Sequence, residues 1–136
     1  MLKFNKVEDA RNFFQQDRFA VENGIEIDEI GPDSSVCSFV VGPRHVNAHG
    51  IVMGGAVFTL VDFSVAVATA NRYWPTVTQQ VSISYLSAAR GSRVIARARC
   101  LRDARSSCVY QVDVTDDTGR DVATALVTAF KVQSHE

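Results

Sequence analysis

Apolar residues recur along this chain with two different spacings, and one stretch is apolar almost without a break. Val7, Ala10, Phe13 and Phe14 fall three to four apart, the spacing of a helix with one buried side. Asn5 followed by Glu8 matches an N-cap with its capping-box partner, so the pattern predicts a short amphipathic helix over residues 6 to about 17. Ile25, Ile27 and Ile30 interleave with Glu26, Asp28 and Glu29 and predict a half-exposed strand. Gly31-Pro32-Asp33 is a turn, Ser35 to Val41 a second strand, and Gly42-Pro43 its end, so the two strands read as a hairpin. Downstream, Val81, Ile83 and Tyr85 alternate with polar residues. Val94, Ala96, Ala98 and Cys100 alternate with Arg93, Arg97 and Arg99, and Cys108, Tyr110, Val112 and Val114 with Gln111, Asp113 and Thr115. Asp121 to Val132 is more continuously apolar and so more central. Gly91, Asp103-Ala104 and Asp116-Asp117-Thr118-Gly119 stand where turns are needed.

Between these halves, Gly50 to Asn71 holds twenty-two residues with one charge, Asp62. So apolar a run is either a membrane span or a helix buried on all sides in a core. Gly54-Gly55, Asp62 and Thr59, Ser64 and Thr69 argue against lipid exposure, and no Lys/Arg cluster flanks the run. The reading is a buried helix over residues 54 to 71, entered by a loop from Arg44 to Met53 and closed by Trp74-Pro75. A carboxylate inside it is costly unless paired or used. The elements add up to an α+β domain spanning residues 1–136. A curved antiparallel sheet of about five to six strands wraps around one long apolar helix, with a short helix at the N-terminus.

Composition narrows the function classes. Fourteen basic and fifteen acidic residues give a net charge of -1, which offers no general electrostatic case for nucleic acid or an anionic membrane. Three scattered cysteines, Cys37, Cys100 and Cys108, suggest neither a disulfide framework nor a zinc ribbon, but small buried hydrophobes of a reduced, cytoplasmic protein. The first residues carry acids and lack the continuous apolar core of a secretory signal. His45 and His49 sit in a Gly/Pro-bounded loop without HExxH, so no metal site is assigned. GxSxG, GxGxxG and GxxxxGK[ST] are absent, which leaves serine-hydrolase, dinucleotide and P-loop chemistry without support.

The chemistry gathers around Asp62. Gly54-Gly55 at a helix start offers backbone N–H groups that no earlier turn can satisfy, with the positive end of the helix dipole behind them. Asp62 lies eight residues on, too far to cap the helix, and no basic residue within the helix can pair with it. Asn47 carries a carboxamide able to donate to a carbonyl. Asn47-x-x-Gly50-x-x-Met53-Gly54-Gly55, then Phe58-Thr59-Leu60-Val61-Asp62, and later Tyr85-Leu86-Ser87-Ala88-Ala89-Arg90-Gly91, resemble the signature of PaaI-like hotdog thioesterases in the 4-hydroxybenzoyl-CoA thioesterase superfamily. The resemblance covers nearly the whole chain in element order and implies the hotdog fold. It implies hydrolysis of an acyl-CoA to a free acid and coenzyme A, without metal or organic cofactor. Asp62 would be general base or nucleophile, and the Gly54 amide with Asn47 would polarise the thioester carbonyl. The site would form across a homodimer, or a dimer of dimers, with Asn47 and Gly54 from one subunit and Asp62 from the other. Aligning on Tyr85 puts Thr78 where relatives place a hydroxyl that orients the water. Gly55, Phe58 and Met53 would line the substrate site, with Arg90 at the coenzyme A phosphates. Arg93, Arg97 and Arg99 read as a solvated face. Phe58, Phe63 and Trp74 suit aromatic and medium aliphatic acyl groups alike. Many relatives have His where this chain has Met53. That departure keeps two alternatives open, a non-catalytic acyl-CoA binding protein and a hotdog dehydratase or hydratase acting on acyl thioesters.

Overall fold

The computed structural model describes residues 3–72 and 75–132. The element order is α1 (Val7–Phe14), α2 (Arg18–Glu22), β1 (Glu26–Ile30), β2 (Ser34–Val40), α3 (Gly54–Ala70), β3 (Thr76–Tyr85), β4 (Arg93–Asp103), β5 (Ser107–Asp116) and β6 (Asp121–Lys131). The six strands form one antiparallel sheet in the order β1-β2-β4-β5-β6-β3, and α3 packs against it in the hotdog arrangement. Tyr110, Phe39, Val112, Val114 and Val127 from the sheet meet Leu60, Val61, Val65 and Val67 from α3 in the core. Two serine hydroxyls buried there are bonded. Ser35 donates to the Ser64 carbonyl at 2.6 Å and Ser64 to that of Leu60 at 2.7 Å, so neither hydroxyl is a desolvated liability.

Three expectations need correction. The first helix is capped at Lys6 rather than Asn5, without a side-chain bond, and it ends at Phe14. Asp17 leaves helical geometry, and a second helix, α2, follows and stops before Gly24, whose φ of +80° favours glycine. Second, β3 begins at Thr76, ahead of the alternation read from Gln80 onward. A bulge at Gln79 breaks that alternation: Val77 pairs with Phe130 on the outer face, while Val81 pairs with Val127 on the core face. Third, α3 is not buried on all sides. Gly55, Phe58, Thr59, Asp62 and Ala66, spaced at helical intervals, leave one stripe exposed or half-buried. Trp74 lies outside the described residues. Among the described residues, no helix is long and apolar enough to cross a membrane.

Buried Asn71 at the end of α3 accepts from the Phe4 amide at 2.7 Å and donates to the Gly31 carbonyl at 3.3 Å, tying the N-terminal segment and the β1–β2 turn to the helix. Cys37 and Cys108 are buried, and burial pushes their thiols up to about 12 and about 11. They pack as small hydrophobes, as the sequence suggested, and Cys100 is half-buried.

Candidate active site

The open stripe of α3 carries the predicted acid. Asp62 is half-buried there, and the Thr78 hydroxyl donates to its Oδ1 at 2.6 Å. The bulge makes this contact. Thr78 pairs with Ala129, whose side chain is in the core, whereas Gln80 pairs with outward Thr128. Without the extra residue Thr78 would share the parity of Gln80 and point away from α3. The hydroxyl orients one carboxylate oxygen and leaves the other free to accept a proton or attack a carbon.

A second carboxylate, missed in the sequence, stands near. Asp17 at the α1–α2 corner makes no side-chain capping bond. Burial first, and then the charge of Asp62, push its carboxyl above the ordinary range. Forty-five residues separate the two, so no local spacing could reveal the pair. A carboxyl raised in the folded state costs stability once it ionises. That cost is absent below the ordinary value of about 3.9 and complete above the folded value. Asp17→Asn is therefore expected to raise the melting temperature at pH 7.5 and to lose that advantage as the pH falls through 4. Calorimetry across this range checks it, and a gain of equal size at every pH would contradict it.

Two turns before Asp62, α3 starts with Met53 as its N-cap in extended geometry, without a side-chain cap. The first inward bonds come from the Ala56 and Val57 amides to the Met53 carbonyl, so the Gly54 and Gly55 N–H groups remain unspent among the described residues. Tyr85 packs its ring against Gly54 and donates its hydroxyl to the Gly54 carbonyl at 3.0 Å. Asn47, on the preceding loop, accepts with Oδ1 from the His49 amide at 3.0 Å and the Ile51 amide at 3.2 Å. These bonds fix the carboxamide and leave its NH₂ as the outward donor. The loop is held from behind by His45. This residue is buried, stacked on Phe39 with ring centroids 4.2 Å apart, and accepts from the Gly42 amide while its other ring nitrogen lies 2.6 Å from the Asn23 carbonyl. Both nitrogens are occupied, which makes His45 a structural group, and His49 is exposed.

Arg90 sits on the turn after β3. Its backbone N–H and that of Gly91 donate to Asp116, which also takes bonds from Thr118 and Arg120. These donors, Arg90 first, hold the Asp116 carboxyl far below its usual range. Asp117 binds the Ser92 amide and hydroxyl in the same way. A Cβ on Gly91 would fall 1.7 Å from Asp117 Oδ1, so any other residue there would push the Asp117 carboxylate off its Ser92 bonds. The Arg90 side chain is left exposed.

Two pockets flank the start of α3. One, of about 400 Å³, is lined by Gly54, Val57, Tyr85 and residues 86 to 89, ending one residue short of Arg90. The other, of about 370 Å³, is lined by Met53, Gly55, Ala56 and Thr59 together with Phe19, Ile25 and Phe39. Phe58 lies on the open stripe and borders neither. A larger cavity of about 490 Å³ lies between α1 and β1, and of the residues read as suited to the acyl group it touches only buried Phe63, which borders neither pocket at the start of α3.

The family model for the thioesterase superfamily matches residues 49–123, more than half of the chain and all of α3. The chain belongs to the thioesterase superfamily. Human acyl-coenzyme A thioesterase 13 is 30% identical over 118 residues, 84% of this chain and 81% of that protein. A protein from Archaeoglobus fulgidus is 29% identical over 94 residues, 68% of this chain and 61% of its own length. A protein of Streptococcus pneumoniae, solved with coenzyme A, superposes with a TM-score of 0.82 at 28% identity, over 92% of this chain and 98% of that one. A mutant of the phenylacetic acid degradation protein PaaI from Thermus thermophilus gives 0.79 at 28% identity, over 84% and 98%. Thioester hydrolysis is the reaction class of this superfamily and of this chain, and the PaaI-like hotdog character read from the motifs stands.

Proposed function

We propose that this thioesterase hydrolyses acyl-CoA, with each active site built from two copies of the chain. The observation that carries the reading is the Asp62–Thr78 pair on an open helix stripe, two turns from a helix start with two unspent N–H groups. Eight residues at about 1.5 Å per residue put roughly 12 Å between Gly54 and Asp62 in one chain. A base or nucleophile and an oxyanion donor must both lie within about 3 Å of one reacting centre. One chain cannot meet both conditions. Two antiparallel copies of α3, packed stripe to stripe, bring Asp62 of each against Gly54 of the other. The edge strand β3 is long and unpaired on its outer side, which also suits pairing with a second copy.

In this site the thioester carbonyl accepts from the Gly54 N–H and the Asn47 NH₂. Asp62, oriented by Thr78, either takes a proton from an attacking water or attacks the carbonyl carbon itself. In the first route the water oxygen bonds to carbon, the carbonyl π electrons move to oxygen, and the C–S bond then breaks. The sulfur leaves as thiolate and takes up a proton. In the second route an Asp62 acyl anhydride forms and water hydrolyses it. Arg90, held by the Asp116 clamp, meets the coenzyme A phosphates. Met53 gives the site an apolar wall where relatives have His. Free-thiol release from a panel of acyl-CoA thioesters, with light scattering on the same sample, tests the proposal. Thiol release by a particle of twice the chain mass or more is expected, and a monomer of about 15 kDa that remains fully active would contradict the two-chain site.

A further inference from the structure

Thioester hydrolysis needs two proton transfers, and Asp62 accounts for one of them. When the C–S bond breaks, its electron pair goes to sulfur, and the thiolate takes a proton from some acid. α3 holds one charged residue, Asp62, and β3 holds none. The corner between α1 and α2 supplies a second carboxyl. Resting on the acyl-CoA reading above, we infer that Asp17 is the general acid of the same site, and that its carboxyl delivers a proton, directly or through one water, to the departing coenzyme A sulfur.

The corner is pinned across the turn of α3 that holds Asp62. Phe14, three residues before Asp17, packs its ring edge-on against Phe63 with centroids 5.5 Å apart. Phe19, two residues after Asp17, shares a pocket with Ala56 and Thr59 of the open stripe. Asp62 stands between Thr59 and Phe63, and its charge reaches Asp17. The backbone of Asp17 is held, its amide donating to the Phe14 carbonyl at 3.0 Å and its carbonyl accepting from Val21 at 3.1 Å. Its half-buried side chain is not held. Asp17 occupies the start of α2, where aspartate ordinarily caps, yet with φ of -83° and ψ of 75° it makes no capping bond. The nearby cations are spent elsewhere, Arg11 on the Ile27 carbonyl at 2.9 Å and Arg18 on Glu22 at 3.4 Å. The charged residues of β1, Glu26, Asp28 and Glu29, are all acids. Asp62, in contrast, receives the Thr78 hydroxyl. Two carboxyl groups in unlike surroundings take unlike roles, and the unbonded, drier one is the one suited to carry a proton. A second copy seated on the stripe would remove more water from the corner and act in the same direction. The protons balance by either route. With an attacking water, one proton passes from water to Asp62 and one from Asp17 to sulfur, and the Asp62 proton then restores Asp17. With an anhydride, Asp17 protonates the sulfur first and, as carboxylate, takes the proton of the hydrolysing water.

The test compares two leaving groups. The acyl-CoA cleaved fastest in the panel is set beside the S-phenyl thioester of the same acid, whose aryl thiolate is the more stable anion and departs without help. Asp17→Asn is expected to lower kcat for the acyl-CoA about tenfold to a hundredfold with KM nearly unchanged, toward the low end for a general acid because a thiolate already leaves readily. The S-phenyl thioester should slow by less than about threefold, since its leaving group asks little of an acid. Asp17→Glu keeps the acid and should recover much of the loss. The pH profile gives a second signature. An acid must be protonated to act, so kcat of the parent on the acyl-CoA should fall as the pH rises through the folded value of Asp17, and Asp17→Asn should lack that fall. Asp17→Ser, which can cap α2 but carries no acid, repeats the comparison should the asparagine variant fold poorly. Equal slowing of both thioesters, or a parent-like kcat on the acyl-CoA without the acid, would overturn the inference and leave acyl-CoA hydrolysis standing. A parent that releases no thiol from any acyl-CoA would instead sink the acyl-CoA reading, and the inference with it.

Discussion

Asp62→Asn is expected to lower the turnover of the best acyl-CoA by roughly two to four orders of magnitude, the range associated with losing a general base. The substitution keeps the shape of the side chain and removes its charge and basicity. Asn can still accept the Thr78 hydroxyl through its carbonyl oxygen, so the α3–β3 contact now 2.6 Å long survives. The side chain lies on the open stripe rather than in the core, so the variant should fold and pair like the parent. Acyl-CoA binding should persist, because the Gly54 and Gly55 amides and Arg90 are untouched. A merely structural aspartate would behave the other way, with a lower melting temperature and unchanged activity per folded molecule. Single-turnover thiol release and a melting curve on one preparation separate the two, and parent-like hydrolysis by Asp62→Asn would end the proposed mechanism.

Gly54→Pro is expected to lower kcat about a hundredfold to a thousandfold relative to Gly54→Ala, the cost of removing one oxyanion donor. Gly54 is the first residue of α3, where proline suits a helix, and Met53 already has the extended backbone that precedes proline readily. Proline therefore deletes the N–H and spares the helix. Both variants place a Cβ about 3.2 Å from the half-exposed Tyr85 ring, so alanine controls for that crowding. Equal rates for the two would exclude the Gly54 amide as donor. Mixing then tests the two-chain site. In a hybrid of Gly54→Pro and Asp62→Asn chains, one site joins an intact Gly54 to an intact Asp62. After refolding together, random pairing should restore about a quarter of the parent activity from two nearly inactive proteins. A site contained in one chain would stay silent in the mixture.

Much of this was legible from residue order. Alternation by two in Val94 to Cys100 and Cys108 to Val114 gave β4 and β5, because a strand with one covered face must alternate. The Gly-Gly start, the isolated Asp62 and the Asn47 spacing singled out the residues now proposed for the chemistry, since unspent amides and a carboxylate inside an apolar helix are costly without a use. The short helix α2 was less legible. Five residues carry too little periodicity, and its signals were only Asp17 before it and Gly24 after it. The strand β3 was cut short because Gln79 is an extra residue, and a bulge erases the alternation by which strands are recognised.

The sequence by itself determined the element types, the apolar helix and the sheet that covers it, because all of these rest on local spacing, and its resemblance to hotdog thioesterases nominated the residues proposed for the chemistry. Tertiary structure decided the rest. It turned Thr78 toward Asp62 through the bulge, brought Asp17 within reach of the charge of Asp62 from forty-five residues away, and locked both nitrogens of His45 into backbone bonds. It also left one stripe of α3 uncovered, although Asp62 is the one charge in that helix. The physical reason is common to all four. A sequence pattern records which side chains need shelter from water, whereas the neighbour that shelters or orients each one is chosen by where distant segments come to rest.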